Sequence, residues 1–239
     1  GFFGSLYGLV GKLIALAAAF FAARAAAPIV AKWVVTPIVG DIFQNQAALG
    51  EAAFPALDPA AGEAISREIL AARDAHDSVG GITQTAVCGL PAGVGEPWFD
   101  SVESVLSHAV FSVGVKGIEF GSGFSAAGQR GSQFNDPLRM QAGRVVTATN
   151  HNGGINGGIS NGMPVVFQCA VKPTPSIAQP QQTVDFLRGE DAELTIRGRH
   201  DPAIIRRICP VLDSVTALAL CDLLAQRFGT DYFTKGVQA

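Results

Sequence analysis

The sequence predicts an α+β fold, in which helices and strands are mixed without a regular alternation. Two observations support this prediction. Segments with apolar residues at helical spacing, such as residues 62–77, occur between short runs rich in β-branched residues, such as 82–90. Of the 239 residues, 48% are hydrophobic and 15% are charged, which is typical of a protein with a substantial core and excludes a disordered chain.

The first 40 residues differ from the rest because they contain three basic residues and no acidic one, whereas the remainder holds 14 basic and 20 acidic residues. Residues 13–31 are apolar apart from Arg24, so a membrane anchor is one interpretation. Arg24 within this run and Pro28 after it favour the other interpretation, a helix over 8–27 buried in a soluble core. A strand over 33–40 is expected to follow, and no secretory signal is expected.

The next segment begins with Ile65, Ile69 and Ala72 at helical spacing, which predicts an amphipathic helix over 62–77. Asp100 and Glu103 have the spacing of a capping box at the start of a second helix. The predicted elements are, in order, the helix 62–77, a strand 82–90, a loop 91–99, a helix 101–112 and a strand 115–121.

Residues 121–162 are rich in glycine and asparagine and are predicted to form a long polar loop, which in a compact domain usually has a functional role. Strands are then expected over 163–174 and 192–196. Two helical runs between Pro202 and Phe228 are expected to be divided by Pro210 and ended by Gly229.

The composition excludes several classes of site. A net charge of −3 without a basic block argues against nucleic-acid binding. The four cysteines are spaced too irregularly for a zinc site or a redox pair, so we expect buried, reduced thiols in a cytosolic protein. The four histidines do not have metal-ligand spacing either, and we expect no metal site.

Two glycine-rich motifs have competing interpretations. GISNG (158–162) matches the G-x-S-x-G nucleophile elbow, but that motif requires a strand before the serine and a helix after it. Here we expect a loop before Ser160 and a strand after it, which disfavours a serine hydrolase. GGINGGISNG (153–162) is either a backbone cradle for an anion or a mobile loop, and the residues alone leave both open.

The motif GRHDP (198–202) also has two interpretations. Asp201 followed by Pro202 is typical of the start of a helix, but this does not explain Arg199 and His200. In a binding site, Arg199 would bind a phosphate and Asp201 would act on a proton. KPTPS (172–176) is a candidate for a second phosphate or flavin contact. The residues therefore favour a pocket for an anionic ligand.

Seven blocks of the sequence combine glycine, proline and charged residues. They are DSVGG (77–81), GLPAGVGEPWFD (89–100), VKGIEFGSGF (115–124), RGSQFND (130–136), GGINGGISNG (153–162), KPTPSI (172–177) and GRHDP (198–202). These blocks resemble chorismate synthase, in that family's order and at about its spacing, and the last apolar helix, over 210–224, is similar as well.

The resemblance implies a β-α-β sandwich, incomplete at the N-terminus, in a single domain over 1–239. Residues 77–224 would form the matched core and residues 1–40 an altered segment. It further implies a cytoplasmic carbon–oxygen lyase of the shikimate pathway. Such an enzyme eliminates phosphate from 5-enolpyruvylshikimate 3-phosphate to give chorismate, requires reduced FMN without consuming it, and assembles as a homotetramer.

The resemblance also implies the site residues. The catalytic residues would be Asp201, which would assist proton removal, and Arg199, which would also reach the substrate. The flavin contacts would be Gly157, Lys172, Pro173, Thr174, Pro175, Ser176 and Arg199.

The chain departs from the family in several places. It corresponds to roughly the C-terminal two-thirds, so two histidines that the family uses as acids have no counterpart by motif, and Tyr7 stands where an arginine is expected. Asn152 stands where alanine is usual, and Pro175 where serine is usual. An alternative is therefore a relative with impaired catalysis that keeps only the fold, flavin binding or the subunit interface.

Overall fold

The structure is a computed structural model that describes residue 56 and residues 59–233. The predictions for residues 1–40, including the membrane anchor over 13–31, lie outside the described residues. In chain order the elements are α1 (Pro59–Asp74), β1 (Gly81–Val87), α2 (Val102–Val110), β2 (Val115–Phe120), α3 (Gly131–Phe134), β3 (Leu138–Gln141), β4 (Arg144–Thr147), β5 (Ile155–Asn156), β6 (Ile159–Ser160), β7 (Val165–Val171), β8 (Gln181–Asp185), β9 (Glu190–Leu194) and α4 (Ile205–Phe228).

A three-stranded antiparallel sheet with the order β1-β7-β2 organises the fold. Alternate residues of β7 face two helices, since Val165, Phe167 and Cys169 are fully buried. The helices α2 and α4 pack against this face and against each other, and they supply fully buried side chains such as Leu106 and Leu212. The core therefore lies between one sheet face and two helices, as an α+β fold requires.

The opposite face of the sheet is more polar and more exposed. Ile82 pairs with Ala170, and Gln84 pairs with Gln168, which in turn pairs with Glu119 on β2. Ile82 is 71% exposed. The register that buries Phe167 necessarily places these neighbours on the outside, because side chains alternate between the two faces.

The amphipathic helix predicted over 62–77 is confirmed as α1, and it ends three residues earlier than expected. Its last turn is closed by hydrogen bonds from His76 N to Arg73 O (3.0 Å) and from Asp77 N to Ala72 O (2.9 Å). His76 has a φ of 58°. This is the Schellman pattern, with a histidine at the position that glycine usually occupies.

The predicted capping box is wrong. Asp100 belongs to a short 3-10 turn, Trp98–Asp100, and the helix α2 is capped by Ser101 instead. The hydroxyl of Ser101 accepts a hydrogen bond from Ser104 N at 3.0 Å. The spacing was ambiguous because an acceptor side chain occurs at both 100 and 101.

The prediction of two helices divided by Pro210 is also wrong, because α4 runs unbroken through it. Pro210 is the sixth residue of the helix, so it removes one intrahelical hydrogen bond and its ring crowds the preceding turn. Ile208 and Leu212 on either side are both buried in the core, and this packing offsets the loss. Gly229 ends the helix, as predicted.

Local pairing explains the remaining differences. The predicted loop 121–162 contains two small hairpins, β3–β4 and β5–β6, although their strands are only four and two residues long. The predicted strand 192–196 is β9, and its partner β8 was missed. The β8 sequence QQTVD has little apolar alternation, because this hairpin is mostly exposed.

The cysteine prediction is confirmed only in part. None of the four cysteines, all of which lie in the described part, is in a disulfide, but only Cys169 is buried. Burial raises the pKa of the Cys169 thiol to about 11.

The helix α4 is the one described helix whose length and composition would allow it to cross a membrane. The buried core helix of a soluble protein meets the same criterion, and α4 contributes eight buried residues to the core beside the sheet.

Candidate functional site

Three sequence blocks that are distant in the chain meet where β7 ends and β1 begins. We call this region the lysine end of the sheet, and it comprises residues 77–81, 172–177 and 198–203. The Ser78 hydroxyl donates to Thr174 O (2.6 Å), and Val79 N donates to Pro202 O (2.8 Å). Gly80 lies so close to Pro173 that an added Cβ would be 3.2 Å from its backbone nitrogen. Glycine at this position allows the blocks to meet.

His200 joins two of these blocks directly. Its Nε2 lies 3.0 Å from Ile196 O, and its Nδ1 lies 2.9 Å from the Ser176 hydroxyl. A carbonyl oxygen can only accept, so Nε2 must carry a hydrogen. In the neutral ring Nδ1 is then the acceptor, and the Ser176 hydroxyl donates to it. His200 thereby ties the segment 172–177 to the segment 198–203.

The lysine end has several donors that the described protein does not use. Lys172 is half-buried and its backbone N donates to Gly114 O at 3.1 Å, while Arg199 is exposed. Neither side chain has an ion-pair partner among residues 59–233. The Thr174 hydroxyl is buried and has no hydrogen-bond partner within the same residues. Two cations and an unused hydroxyl are a donor set suited to an anionic ligand.

Asp201 lies at this end as well, but it does not cap α4, as one interpretation of GRHDP predicted. The residue before α4 is Ile204, which makes no side-chain cap. Asp201 instead forms an ion pair with Arg207, in the first turn of the helix, with 3.1 Å between Oδ2 and Nη1. Its side chain is 26% exposed. The pair holds the carboxylate in a defined place while one edge remains accessible.

The opposite end of the sheet is built from residues 88–101 and 121–163, and we call it the glycine-rich end. Ser160 is 3% exposed, donates to Pro91 O (2.6 Å) and accepts from Val94 N (2.9 Å). Its hydroxyl is therefore occupied by structural bonds, and it lies within β6 rather than between a strand and a helix. This geometry does not fit a nucleophile elbow.

Asp136 organises the same end. One carboxylate oxygen accepts from the Thr149 hydroxyl (2.6 Å) and His151 N (2.8 Å). The other accepts from Asn152 N (2.9 Å) and Asn152 Nδ2 (2.8 Å). Burial acts to raise the pKa of Asp136, but these hydrogen bonds outweigh it and hold the pKa below its usual value. Asn152 thus supplies two of the four donors, and one of them is its side-chain amide.

Gly157 lies at the glycine-rich end, and Lys172, Ser176, Arg199 and Asp201 lie at the other. Gly157 and Gly158 are the two turn residues of the β5–β6 hairpin and have φ values of 60° and 87°. Two positive φ values are typical of a type I′ turn. The turn therefore explains why both positions are glycine. Because β7 has seven residues, the ends are separated by about 20 Å.

The other predicted residues lie together. Lys172, Pro173, Thr174, Pro175 and Ser176 follow β7 directly, and Arg199 and Asp201 flank the histidine that contacts Ser176. The sequence interpretation missed Ser78, His200 and Arg207 as parts of this site. Ser78 lies in the block DSVGG, and His200 is one of the two residues of GRHDP that helix capping leaves unexplained. Nothing in the sequence pattern indicated Arg207.

The described residues contain no group of three His, Cys, Asp or Glu side chains that could hold a metal ion. The fold and the site together define an α+β protein with a candidate binding site for an anionic ligand.

The family is shown by comparison with known sequences. The family model for chorismate synthase matches residues 15–225, so this chain belongs to the chorismate synthase family. Relatives named chorismate synthase are 48% identical over 166 residues in Methanocella arvoryzae and 51% identical over 164 residues in Opitutus terrae. A third, from Chitinophaga pinensis, is 52% identical over 160 residues. These alignments cover 69%, 68% and 66% of this chain and 45%, 45% and 48% of the relatives, respectively.

A solved structure described as the crystal structure of chorismate synthase has the same fold. The TM-score is 0.64 with 24% sequence identity, and the match covers 84% of this chain and 56% of that one. The predicted fold class, an α+β fold of the chorismate synthase type, is confirmed. The chain spans about half the length of the curated relatives it matches.

Proposed function

We propose that this chain acts as a chorismate synthase, a carbon–oxygen lyase that eliminates phosphate from 5-enolpyruvylshikimate 3-phosphate to give chorismate, with reduced FMN as cofactor. Membership of the family and the names of its relatives support the reaction. The observation that supports the proposal for this chain is the lysine end, where Lys172, Arg199 and the Thr174 hydroxyl are gathered without partners among residues 59–233. We further propose that residues 1–239 form a single domain that assembles as a cytoplasmic homotetramer.

The donor set at the lysine end fits a flavin phosphate and the polar edge of its ring. Lys172 and Arg199 would contribute positive charge, and Thr174 Oγ1 is a buried hydroxyl that lacks a partner among the described residues. Pro173 and Pro175 restrict the backbone between these donors, so that less conformational entropy is lost on binding. Reduced FMN, when bound, would supply electron density that helps phosphate to leave.

The chain's own residues would bind the cofactor and substrate and would accept a proton. Arg199 would neutralise negative charge on cofactor or substrate, which a guanidinium does with two parallel hydrogen bonds to a phosphate. Asp201 would accept the proton, and its ion pair with Arg207 would keep the carboxylate oriented while 26% of its side chain stays accessible. Gly157 would contact flavin only if the glycine-rich end of another copy reached the lysine end, since about 20 Å separates the two ends within one chain.

Phosphate release tests the reaction. The purified chain is incubated anaerobically with photoreduced FMN and 5-enolpyruvylshikimate 3-phosphate, and inorganic phosphate is measured. We expect Asp201→Asn to lower the rate about 100-fold or more while flavin affinity changes little. Lys172→Ala should instead weaken flavin binding about tenfold, as expected for loss of one charge-assisted hydrogen bond.

Arg139→Ala is the matched control for Arg199→Ala. Both arginines are exposed and neither is in an ion pair among the described residues, but Arg139 lies on β3 at the glycine-rich end. We expect only Arg199→Ala to weaken flavin binding. If both variants weakened flavin binding equally, the cause would be a general effect of charge, and this would contradict a flavin site at the lysine end. Absence of phosphate release despite tight flavin binding would contradict the proposed lyase reaction, but the proposed flavin site would still stand.

A further inference from the structure

His200 is a half-buried imidazole between two segments that carry predicted ligand contacts. Each of its ring nitrogens has one partner, Ile196 O at 3.0 Å and the Ser176 hydroxyl at 2.9 Å. The carbonyl fixes the hydrogen of the neutral ring on Nε2, so Nδ1 has a lone pair and takes the single hydrogen of Ser176. In this state the Ser176 hydroxyl has no hydrogen left to donate to a ligand.

Protonation of the ring reverses this bond. Nδ1 then carries a hydrogen and must donate to Ser176 Oγ, because an imidazolium has no acceptor. The hydroxyl hydrogen of Ser176 stays on its oxygen but now points away from the ring. The site also gains the positive charge of the imidazolium. Both changes favour an anion beside Ser176.

We propose that His200 is a positioning residue that sets the direction of the Ser176 hydroxyl, so that Ser176 donates to the bound anionic ligand only when the imidazole is protonated. This inference rests on the proposed binding of FMN at the lysine end. It assigns a role to the residue of GRHDP that neither helix capping nor phosphate binding explains.

Other charged groups also act on this histidine. The segment after α1 carries His76 and Asp77, β7 is followed by Lys172, and the imidazole itself lies between Arg199 and Asp201. The charged or titratable side chains on the three segments that meet here, and on the residues that flank them, are His76, Asp77, Lys172, Arg197, Arg199, Asp201, Arg206 and Arg207. Their effect, and that of the titrating flavin phosphate, is common to the wild type and to a Ser176 variant. The ratio of the two dissociation constants therefore isolates the contribution of the Ser176 hydroxyl to binding.

The experiment measures the dissociation constant of FMN for the wild-type chain and for Ser176→Ala at pH 8 and pH 6, by titration calorimetry. We expect the ratio of the variant's constant to that of the wild type to be about 1 at pH 8 and about 10 at pH 6, because a charge-assisted hydrogen bond is present only at the lower pH. The same pair is measured with His200→Gln, whose amide can still donate to Ile196 O but does not titrate. In that background the ratio should not change with pH.

The outcomes separate this inference from the proposed function. A ratio that is the same at both pH values, whether near 1 or near 10, overturns the role of His200 and leaves FMN binding intact. A ratio that still rises in the His200→Gln background assigns the effect to another group and also overturns it. FMN that binds to no variant at either pH overturns the proposed function and this inference with it.

A second readout does not depend on a ligand. Nitrogen-15 NMR of labelled histidine should show the neutral His200 ring with its hydrogen on Nε2, and Ser176→Ala should shift the Nδ1 resonance. A neutral ring with its hydrogen on Nδ1 would contradict the inference whatever the binding data show.

Discussion

The two ends of the β1-β7-β2 sheet differ in how they use polar side chains. At the glycine-rich end, Asp136 accepts four hydrogen bonds and Ser160 makes two, all to the protein itself. At the lysine end, the half-buried cation Lys172 has no ion-pair partner and Thr174 Oγ1 has no hydrogen-bond partner among the described residues. At the glycine-rich end, cations without an ion-pair partner, such as Arg139, are exposed, and Asn150 Oδ1 is a buried atom without a hydrogen-bond partner among the same residues. Polar groups that satisfy one another stabilise a loop, whereas polar groups without partners remain available to a ligand.

This comparison changes the interpretation of the glycine-rich motif. From the sequence, GGINGGISNG is either an anion cradle or a mobile loop. In the structure it is a hairpin with a glycine–glycine turn, and Gly158 is packed against Glu96 O and Ser101. Its close backbone contacts are to its own chain. Substitutions at the two ends should therefore separate effects on stability from effects on binding.

The largest expected effect on stability is at Gly158. A Cβ there would lie 2.5 Å from Glu96 O and 2.7 Å from Ser101 Cβ, whereas one at Gly157 would meet nothing within 4 Å. Both residues have positive φ, so we expect Gly157→Ala to cost about 1–2 kcal/mol of the free energy of unfolding. Gly158→Ala adds overpacking and should cost about 3 kcal/mol or more. Chemical denaturation of the two variants measures the difference, and equal costs would contradict the packing of this turn.

The next effect is at Asp136. Asp136→Asn replaces one acceptor oxygen by a donor that faces other donors, so we expect a loss of about 2 kcal/mol in the free energy of unfolding. Because the folded pKa is lowered, the wild type should have this stabilisation above about pH 4 and lose it as the pH falls through the folded value. Asp191→Asn, on the exposed strand β9, is the control and should change little. A wild-type pH profile that matches that of Asp136→Asn would contradict the prediction.

The third effect compares two serines, one at each end. Ser160→Ala leaves the buried N–H of Val94 without its acceptor and should cost about 1–3 kcal/mol. Ser176→Ala removes a bond between half-buried groups and should cost less than about 1 kcal/mol. Thermal unfolding at pH 8 compares them. A larger cost at Ser176 would show that the lysine end is held together by its polar groups and would remove the difference between the ends.

The smallest effect on stability is expected at Arg199. Its side chain is exposed and has no ion-pair partner among residues 59–233, so Arg199→Ala should change the free energy of unfolding by less than about 0.5 kcal/mol. The same variant is expected to weaken flavin binding. A stability loss of several kilocalories per mole would indicate a structural role instead.

Much of the local structure could be predicted from the sequence, because its signals are local. The apolar spacing in α1 and the β-branched runs of β1, β2 and β7 located these elements within a few residues. Where a prediction was wrong, tertiary contacts decided the outcome. Pro210 lies inside a helix because the residues around it are buried in the core, and β8 is a strand because β9 pairs with it.

The candidate site was predictable only as a set of residues. The blocks 172–177 and 198–202 were identified from their residue types and from the resemblance, but the bonds that join them are between side chains and backbone far apart in the chain. The contact of Ser78 with Thr174 spans 96 residues, and no sequence period encodes it.

The sequence by itself determined the fold class, the family and most of the residues that could bind an anion, because apolar periodicity and motif order are properties of the chain. The tertiary structure decided which of those residues share a site. The seven-residue strand β7 places Gly157 at one end of the sheet and Lys172 to Ser176 at the other, and His200 brings the latter beside Arg199 and Asp201. Distances across a sheet depend on strand length and pairing, which are set only when the core is packed.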